Sequence, residues 1–193
     1  MLFSIKPMSD SIDRNINQLI EEISRKDSEV ALRLLYRHYF DKLMRFISIY
    51  IKSIQTSEEI ISDVFLTIWQ NRKSLPEIKN FNAYIYTISR NMSIDYLRAK
   101  KMDFEHLSEM PLDVYFRTDT TPEDELISKE FVKTLDDAIN SLPNQCKIAF
   151  KLIREDNLKY KDAAEILNIT VKTLEAHITK AIKELRIALK NKK

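Results

Sequence analysis

Not one of the 193 residues is glycine. A chain without glycine has given up the cheapest way to hold a backbone position at positive φ. It therefore cannot build the phosphate-cradling loops of P-loop or Rossmann type, which need glycine where the backbone turns sharply or approaches a phosphate. Helices joined by short polar loops need no glycine, with asparagine or aspartate taking the occasional left-handed position. The apolar residues agree. They recur mostly at spacings of three and four, and strict alternation is scarce. The expected fold class is all-α.

With 44% hydrophobic and 31% charged residues the chain has the composition of a globular protein with a core. No apolar run reaches the roughly 20 residues of a membrane helix, and residues 43–51 are interrupted by Arg45 and Ser48. No membrane insertion and no signal peptide are expected. The single cysteine, Cys146, can form no internal disulfide, which fits a reducing cytoplasm.

The charge is unevenly placed. Residues 1–102 carry +4, residues 103–130 carry −7 and residues 131–193 carry +5. Basic blocks suit a polyanionic partner, although charges this modest also suit solvated helix faces. The acidic stretch holds Pro111 and Pro122 and has no sustained periodicity, so it reads as a flexible linker between two small helical domains, 1–102 and 131–193.

Within the first domain, Ile12, Ile16, Leu19, Ile20 and Ile23 lie on one helical face, with Asp10 or Ser11 as candidate cap. Asp27 or Ser28 starts a second helix with Ala31, Leu34, Leu35, His38, Tyr39, Leu43, Phe46 and Ile47 as its apolar positions. A third helix is predicted from near Ser57 to Arg72, before Pro76, and a fourth from Phe81 to Lys101. Pro143 and the segment Asn168-Ile169-Thr170 divide the second domain into three or four helices.

Three segments carry the functional signal. The first, 158–186, has the small residues Ala163 and Ala164, then Asn168 where a left-handed turn is expected, then Thr170 as a helix cap. That order predicts a helix–turn–helix. Ile169, Leu174 and Ile178 face inward, and Lys172, Thr173, Glu175, Ala176, His177 and Lys180 lie on or near the outward face, as in a helix that enters the major groove. The second, 57–70, places Ile60, Ile61, Val64, Phe65, Ile68 and Trp69 on one stripe, with Glu58, Glu59, Ser62, Asp63 and Leu66 elsewhere. Periodicity makes this an amphipathic core helix and nothing more. The third, 81–101, has a core stripe of Ile85, Ile88, Met92 and Tyr96. Arg90, Asn91, Asp95, Arg98 and Lys101 line another face, and Phe81, Tyr84 and Tyr86 sit near its start. Such a face can hold a phosphate backbone and unstacked bases, or simply be solvated.

In this order and separation the segments resemble the extracytoplasmic-function (ECF) group of bacterial sigma factors. Residues 57–70 look like the family's core-polymerase-binding helix ending in Phe-Leu-x-x-Trp. Residues 81–101, with Ser-Arg-Asn and Ile-Asp-Tyr-Leu-Arg, look like its promoter-melting, minus-ten-reading helix. Residues 141–152, SLPNQCKIAFKL, resemble the entry to its minus-thirty-five-reading domain, and 158–186 the closing helix–turn–helix. The resemblance implies sigma domain two over 1–102 and sigma domain four over 131–193. It implies that Glu59, Ser62, Asp63 and Leu66 face the polymerase. The minus-ten element would fall to Tyr84, Tyr86, Arg90, Asn91, Asp95, Arg98 and Lys101, and the minus-thirty-five element to Lys172, Thr173, Glu175, Ala176, His177 and Lys180. Core RNA polymerase and promoter DNA are the implied partners, and an anti-sigma protein is common in the family.

The chain departs from the family pattern at four places. Ser62 stands where glutamine is frequent, Lys159 where Ser or Thr caps a helix, and Asn168 where glycine is usual. Glu175, Ala176 and His177 make the recognition helix less basic. No catalytic set, metal-ligand spacing or cofactor motif stands out; His38, His106, His177 and Cys146 are scattered. Two other readings compete: the output domain of a response regulator, which would need a receiver domain that the N-terminal half does not resemble, and a helical adaptor that binds no DNA.

Overall fold

The computed structural model describes residues 8–100 and 134–190, with side chains from Ile16 onward. The linker expectation for 103–130, the terminal Lys101 and the side chains of Asp10, Ser11 and Ile12 lie outside the described residues. Among those described there is no strand. The order is α1 (Met8–Lys26), α2 (Glu29–Ile47), α3 (Ile54–Gln70), a 3₁₀ turn (Arg72–Glu77), α4 (Phe81–Ala99), α5 (134–140), α6 (Asn144–Phe150), α7 (Tyr160–Leu167) and α8 (Val171–Lys190). A single π turn, Lys151–Glu155, continues α6.

Side-chain caps set the starts. The Ser28 hydroxyl accepts from the Ala31 amide at 3.2 Å, Ser53 from Thr56 at 3.2 Å, and Asn80 from Ala83 at 3.1 Å. α3 thus begins before Ser57, whose buried hydroxyl donates back to the Ser53 carbonyl at 3.0 Å. α1 likewise starts at Met8, ahead of both of its candidate caps.

The missing glycines are replaced by three residues. Asp27, Asn157 and Asn168 hold φ of 49°, 53° and 55° and carry every positive-φ corner among the described residues. Their short polar side chains tolerate that region best after glycine. Asp27 does more than turn. Its carboxylate accepts from Arg72 at 2.5 Å and Lys73 at 2.8 Å, tying the α1–α2 corner to the 3₁₀ turn.

α1 packs on α2 and the 3₁₀ turn, and α2, α3 and α4 pack on one another. α6 packs on α8, and α7 packs on both α8 and α4. One apolar core therefore runs from Ile16 and Leu35 through Ile61 and Ile85 into Leu152, Ile166 and Leu174. A second, smaller cluster joins Ala138, Ile139, Leu142 and Cys146 to Ala181 and Leu185.

Two inward assignments change. Leu34 is 47% exposed. On α4 the buried positions are Phe81, Ala83, Ile85, Tyr86, Ser89, Ser93 and Leu97, while Ile88, Met92 and Tyr96 are half-buried. The serines can enter because each returns its hydroxyl to the preceding turn: Ser89 to the Ile85 carbonyl at 2.8 Å and Ser93 to the Ser89 carbonyl at 2.7 Å. A pattern drawn from apolar residues alone is rotated away from this column.

Candidate nucleic-acid and protein interfaces

The first surface is on α3. Burial of Ile60, Ile61, Val64, Phe65 and Ile68 turns Glu58, Glu59, Ser62, Asp63 and Leu66 outward, all exposed. The helix contains no lysine or arginine. Its hydroxyls are occupied locally, Ser62 with the Glu58 carbonyl at 2.9 Å and Thr67 with that of Asp63 at 2.9 Å. The exposed charges are therefore carboxylates around Leu66, 53% exposed, with Glu59 accepting from the Gln55 side chain at 3.3 Å. A basic partner with an apolar seat for Leu66 would fit it. Trp69, half-buried, closes the end of the helix beneath the Arg72 guanidinium, 4.5 Å from its ring.

The second surface is the outer face of α4. Asn91, Asp95 and Arg98 are exposed, and Arg98 pairs with Asp95 at 3.2 Å. Both partners are solvated, so the pair is weak and exchangeable for a phosphate. Arg90 is half-buried, 3.4 Å from the Asn91 side-chain oxygen and beside the Tyr50 hydroxyl. Tyr84 is half-buried next to Phe81, with ring centroids 6.1 Å apart. Tyr86 is not on this face. It is 1% exposed and packs edge-on against Phe46 at 5.1 Å, so it is core rather than a platform for a base in this form of the molecule. Lys100, not singled out from sequence, ends the helix with its ammonium 5.9 Å from the Tyr96 ring.

The third surface is the helix–turn–helix of α7 and α8. Asn168 takes the left-handed turn, and the Ile169 amide reaches the Ala164 carbonyl at 3.0 Å. Thr170 then caps α8, its hydroxyl accepting from the Thr173 amide at 3.1 Å. Leu174, Ile178, Ala181 and Leu185 are buried, which leaves Lys172, Thr173, Glu175, Ala176 and Lys180 exposed. The Thr173 hydroxyl is shared with Thr170 at 2.8 Å. His177 is half-buried and leans toward Cys146. Lys159, the residue before α7, gives that helix no side-chain cap.

Sequence reasoning missed a polar group between the two halves. Asp156, after the π turn, lies 3.9 Å from Arg45 of α2 and beside the buried Tyr86 hydroxyl of α4. Asp156 follows no motif and its partners are more than 65 residues away, so nothing local announces it. Among the described residues no group of acids, histidines or cysteines is placed to hold a metal, and no helix is long and apolar enough to cross a membrane.

Comparison with known proteins places the chain in a family. Residues 35–102 match the family described as Sigma-70 region 2, and residues 133–185 match Sigma-70, region 4; together they span more than half of the chain. The ECF RNA polymerase sigma factor SigW of Bacillus subtilis is 26% identical over 183 residues, covering 91% of this chain and 97% of its own. The ECF sigma-E factor of Haemophilus influenzae is 26% identical over 170 residues, covering 84% and 89%. The fold is similar to CnrH in complex with the cytosolic domain of CnrY, with a TM-score of 0.61 at 15% identity over 93% of this chain and 99% of that one. It is also similar to the sigma factor RpoE of Bartonella quintana in complex with the anti-sigma factor NepR, with a TM-score of 0.60 at 20% identity over 86% and 98%.

Proposed function

This chain belongs to the ECF group of bacterial RNA polymerase sigma factors, and on that premise we propose how its surfaces divide the work of directing transcription initiation to promoters. Residues 1–102 act as sigma domain two, 103–130 as an acidic tether and 131–193 as sigma domain four. The acidic face of α3, with Glu59, Ser62, Asp63 and Leu66, binds core polymerase. Asn91, Asp95 and Arg98 on α4, with Tyr84, Arg90 and Lys101, take the minus-ten element. Lys172, Thr173, Glu175, Ala176 and Lys180 on α8, with His177 at the edge, take the minus-thirty-five element. The protein works in the cytoplasm by binding and carries out no catalysis of its own.

One observation carries this reading best: three exposed faces of distinct chemistry sit on three of the helices within the two family regions. α3 is acidic with a protruding leucine, α4 presents amide and guanidinium groups, and α8 leads with a cap and lysines. Two similarly folded proteins are held by others, CnrH by the cytosolic domain of CnrY and the sigma factor RpoE by the anti-sigma factor NepR. We extend an anti-sigma partner to this chain on that likeness. The test is run-off transcription with purified core polymerase on genomic DNA of the source organism. Discrete transcripts that require this chain are expected; none would overturn the reading.

A further inference from the structure

α6 and the π turn that continues it carry two buried lysines, Lys147 and Lys151, with 4% and 7% of their surface exposed. Their burial follows from their neighbours. Ile148, Ala149 and Leu152 belong to the same apolar core as Ile49, Tyr50 and Ile51, the segment that leaves α2. That packing brings Lys52, half-buried in the loop before α3, close enough to act on Lys147. Three ammonium groups from two distant stretches of sequence therefore share one place.

Acids compensate them unevenly. Glu155 pairs with Lys151 at 3.6 Å, and Asp136 of α5 also feels Lys151. No acid among the described residues acts on Lys147; the charges that do are Lys52 and Lys151, both repulsive. Burial, with that repulsion, pushes the Lys147 ammonium down to about 8, so it still carries its charge at neutral pH. A surface lysine lays its stem along apolar atoms and keeps its head in water. Lys147 has the buried stem without the freely solvated head. An uncompensated ammonium held between two others is unfavourable, and a bound anion would relieve it.

The chemistry of the place narrows the anion. A carboxylate brings one charge to three ammonium groups. A phosphodiester within a nucleic acid also brings one, and its strand needs an open groove that residues this buried do not line. A terminal phosphate brings close to two charges and several acceptor oxygens on one small centre, and lysine binds it as a point charge. We propose that Lys52, Lys147 and Lys151 form a binding site for a phosphate dianion, free or as the terminal group of a small metabolite. None of the three lysines belongs to the polymerase or promoter faces assigned above, so the site adds a ligand to that reading and does not depend on it.

The experiment uses the full chain. Melting is followed in chloride and in inorganic phosphate at equal ionic strength and neutral pH, and inorganic phosphate is titrated calorimetrically into the same protein. Wild type should melt higher in phosphate, by an amount that grows with the logarithm of its concentration. Lys147→Met keeps the length of the stem. It should bind phosphate at least about tenfold more weakly, the effect of one hydrogen bond to a charged group, and lose most of the melting response. Lys52→Gln should weaken binding in the same way from a loop position, whatever the core makes of methionine at 147. Lys161→Met, at an exposed position of α7, should behave as wild type. A response of equal size in wild type and both site variants would be a general salt effect and overturns the site. So does a wild type that binds no phosphate. A nucleoside monophosphate, titrated beside its parent nucleoside, assigns the source. Binding tighter than that of inorganic phosphate, with none for the nucleoside, supports a phosphorylated metabolite; binding no tighter supports the free ion.

Discussion

His177 Nδ1 lies 3.8 Å from the Cys146 sulfur, so the recognition helix touches α6 through a residue that sequence spacing places on its DNA face. The imidazole is half-buried and the thiol buried, its acidity pushed down by that burial. His177→Ala should therefore lower the stability of the C-terminal half by about 1 kcal/mol, the scale of one neutral hydrogen bond. Its effect on sequence preference should be smaller than that of Glu175→Ala. Thermal melts paired with binding-site selection would separate the two. Cys146 alkylation should also be slow in the native chain and faster in His177→Ala.

The turn before the recognition helix offers a sharper contrast. Lys159 begins α7 without accepting from any amide, whereas Thr170 caps α8. Lys159→Thr should stabilise by about 1 kcal/mol, since it adds the missing acceptor. Asn168 at φ 55° should accept glycine with little change, while Asn168→Val should cost about 1–2 kcal/mol because a β-branched side chain resists the left-handed region. Urea titrations of the three variants decide this, and a stable Asn168→Val would contradict the turn geometry.

Asp27, at the corner between α1 and α2, makes stability depend on pH. Hydrogen bonds from Lys73 and Arg72 hold its carboxyl below the ordinary carboxylate value of 3.8. The stabilisation is thus present above that value and is lost as pH falls through the lowered one. Acid unfolding of wild type and Asp27→Asn should differ by a constant amount above about pH 5 and converge at lower pH. Asparagine also tolerates the positive φ of 49°, so the comparison isolates the charge.

On α3, Glu59→Lys combined with Asp63→Lys should leave helicity and melting unchanged, because both side chains are exposed and Asp63 meets its neighbour Thr67 only through its carbonyl. Affinity for core polymerase should fall by a few kcal/mol at most, through lost charge pairing. Unchanged affinity in the folded variant would remove this face from the polymerase contact.

How much of this could be read from the sequence depends on the range of the interaction. The all-α class, the αL turn at Asn168, the Thr170 cap and the inward Leu174 and Ile178 were legible, because each is fixed by residues within one helical turn. The α4 register was missed because Ser89 and Ser93 are polar by type yet buried, with their hydroxyls satisfied four residues back. Tyr86 is a stacking candidate by type and position, but Phe46, forty residues earlier in the chain, packs against its ring. The Arg45–Asp156 contact closes a loop of more than a hundred residues and has no local trace. Short-range pattern reveals which side chains could act; long-range packing decides which remain exposed to do so.

The exposed groups of α8 should fall into two energetic classes. Lys172 and Lys180 are point charges without the planar fork that reads a base pair, and they are assigned to phosphates. Lys172→Ala should weaken binding to all sequences alike and flatten the dependence of log affinity on log salt by about one unit. Glu175 is exposed one position after the buried Leu174, and its carboxylate can accept from a cytosine amino group in the major groove. Glu175→Ala should shift preference at a single position by roughly 1–3 kcal/mol and leave the salt dependence nearly unchanged. Thr173 is expected to contribute less, because its hydroxyl is already shared with Thr170 at the cap. Selection from random minus-thirty-five sequences, followed by salt titration on the preferred site, measures both quantities. If both variants preferred the wild-type sequence, Glu175 would have no part in reading it. If the wild type showed no preference at all, α8 would be only the helix that closes the C-terminal core.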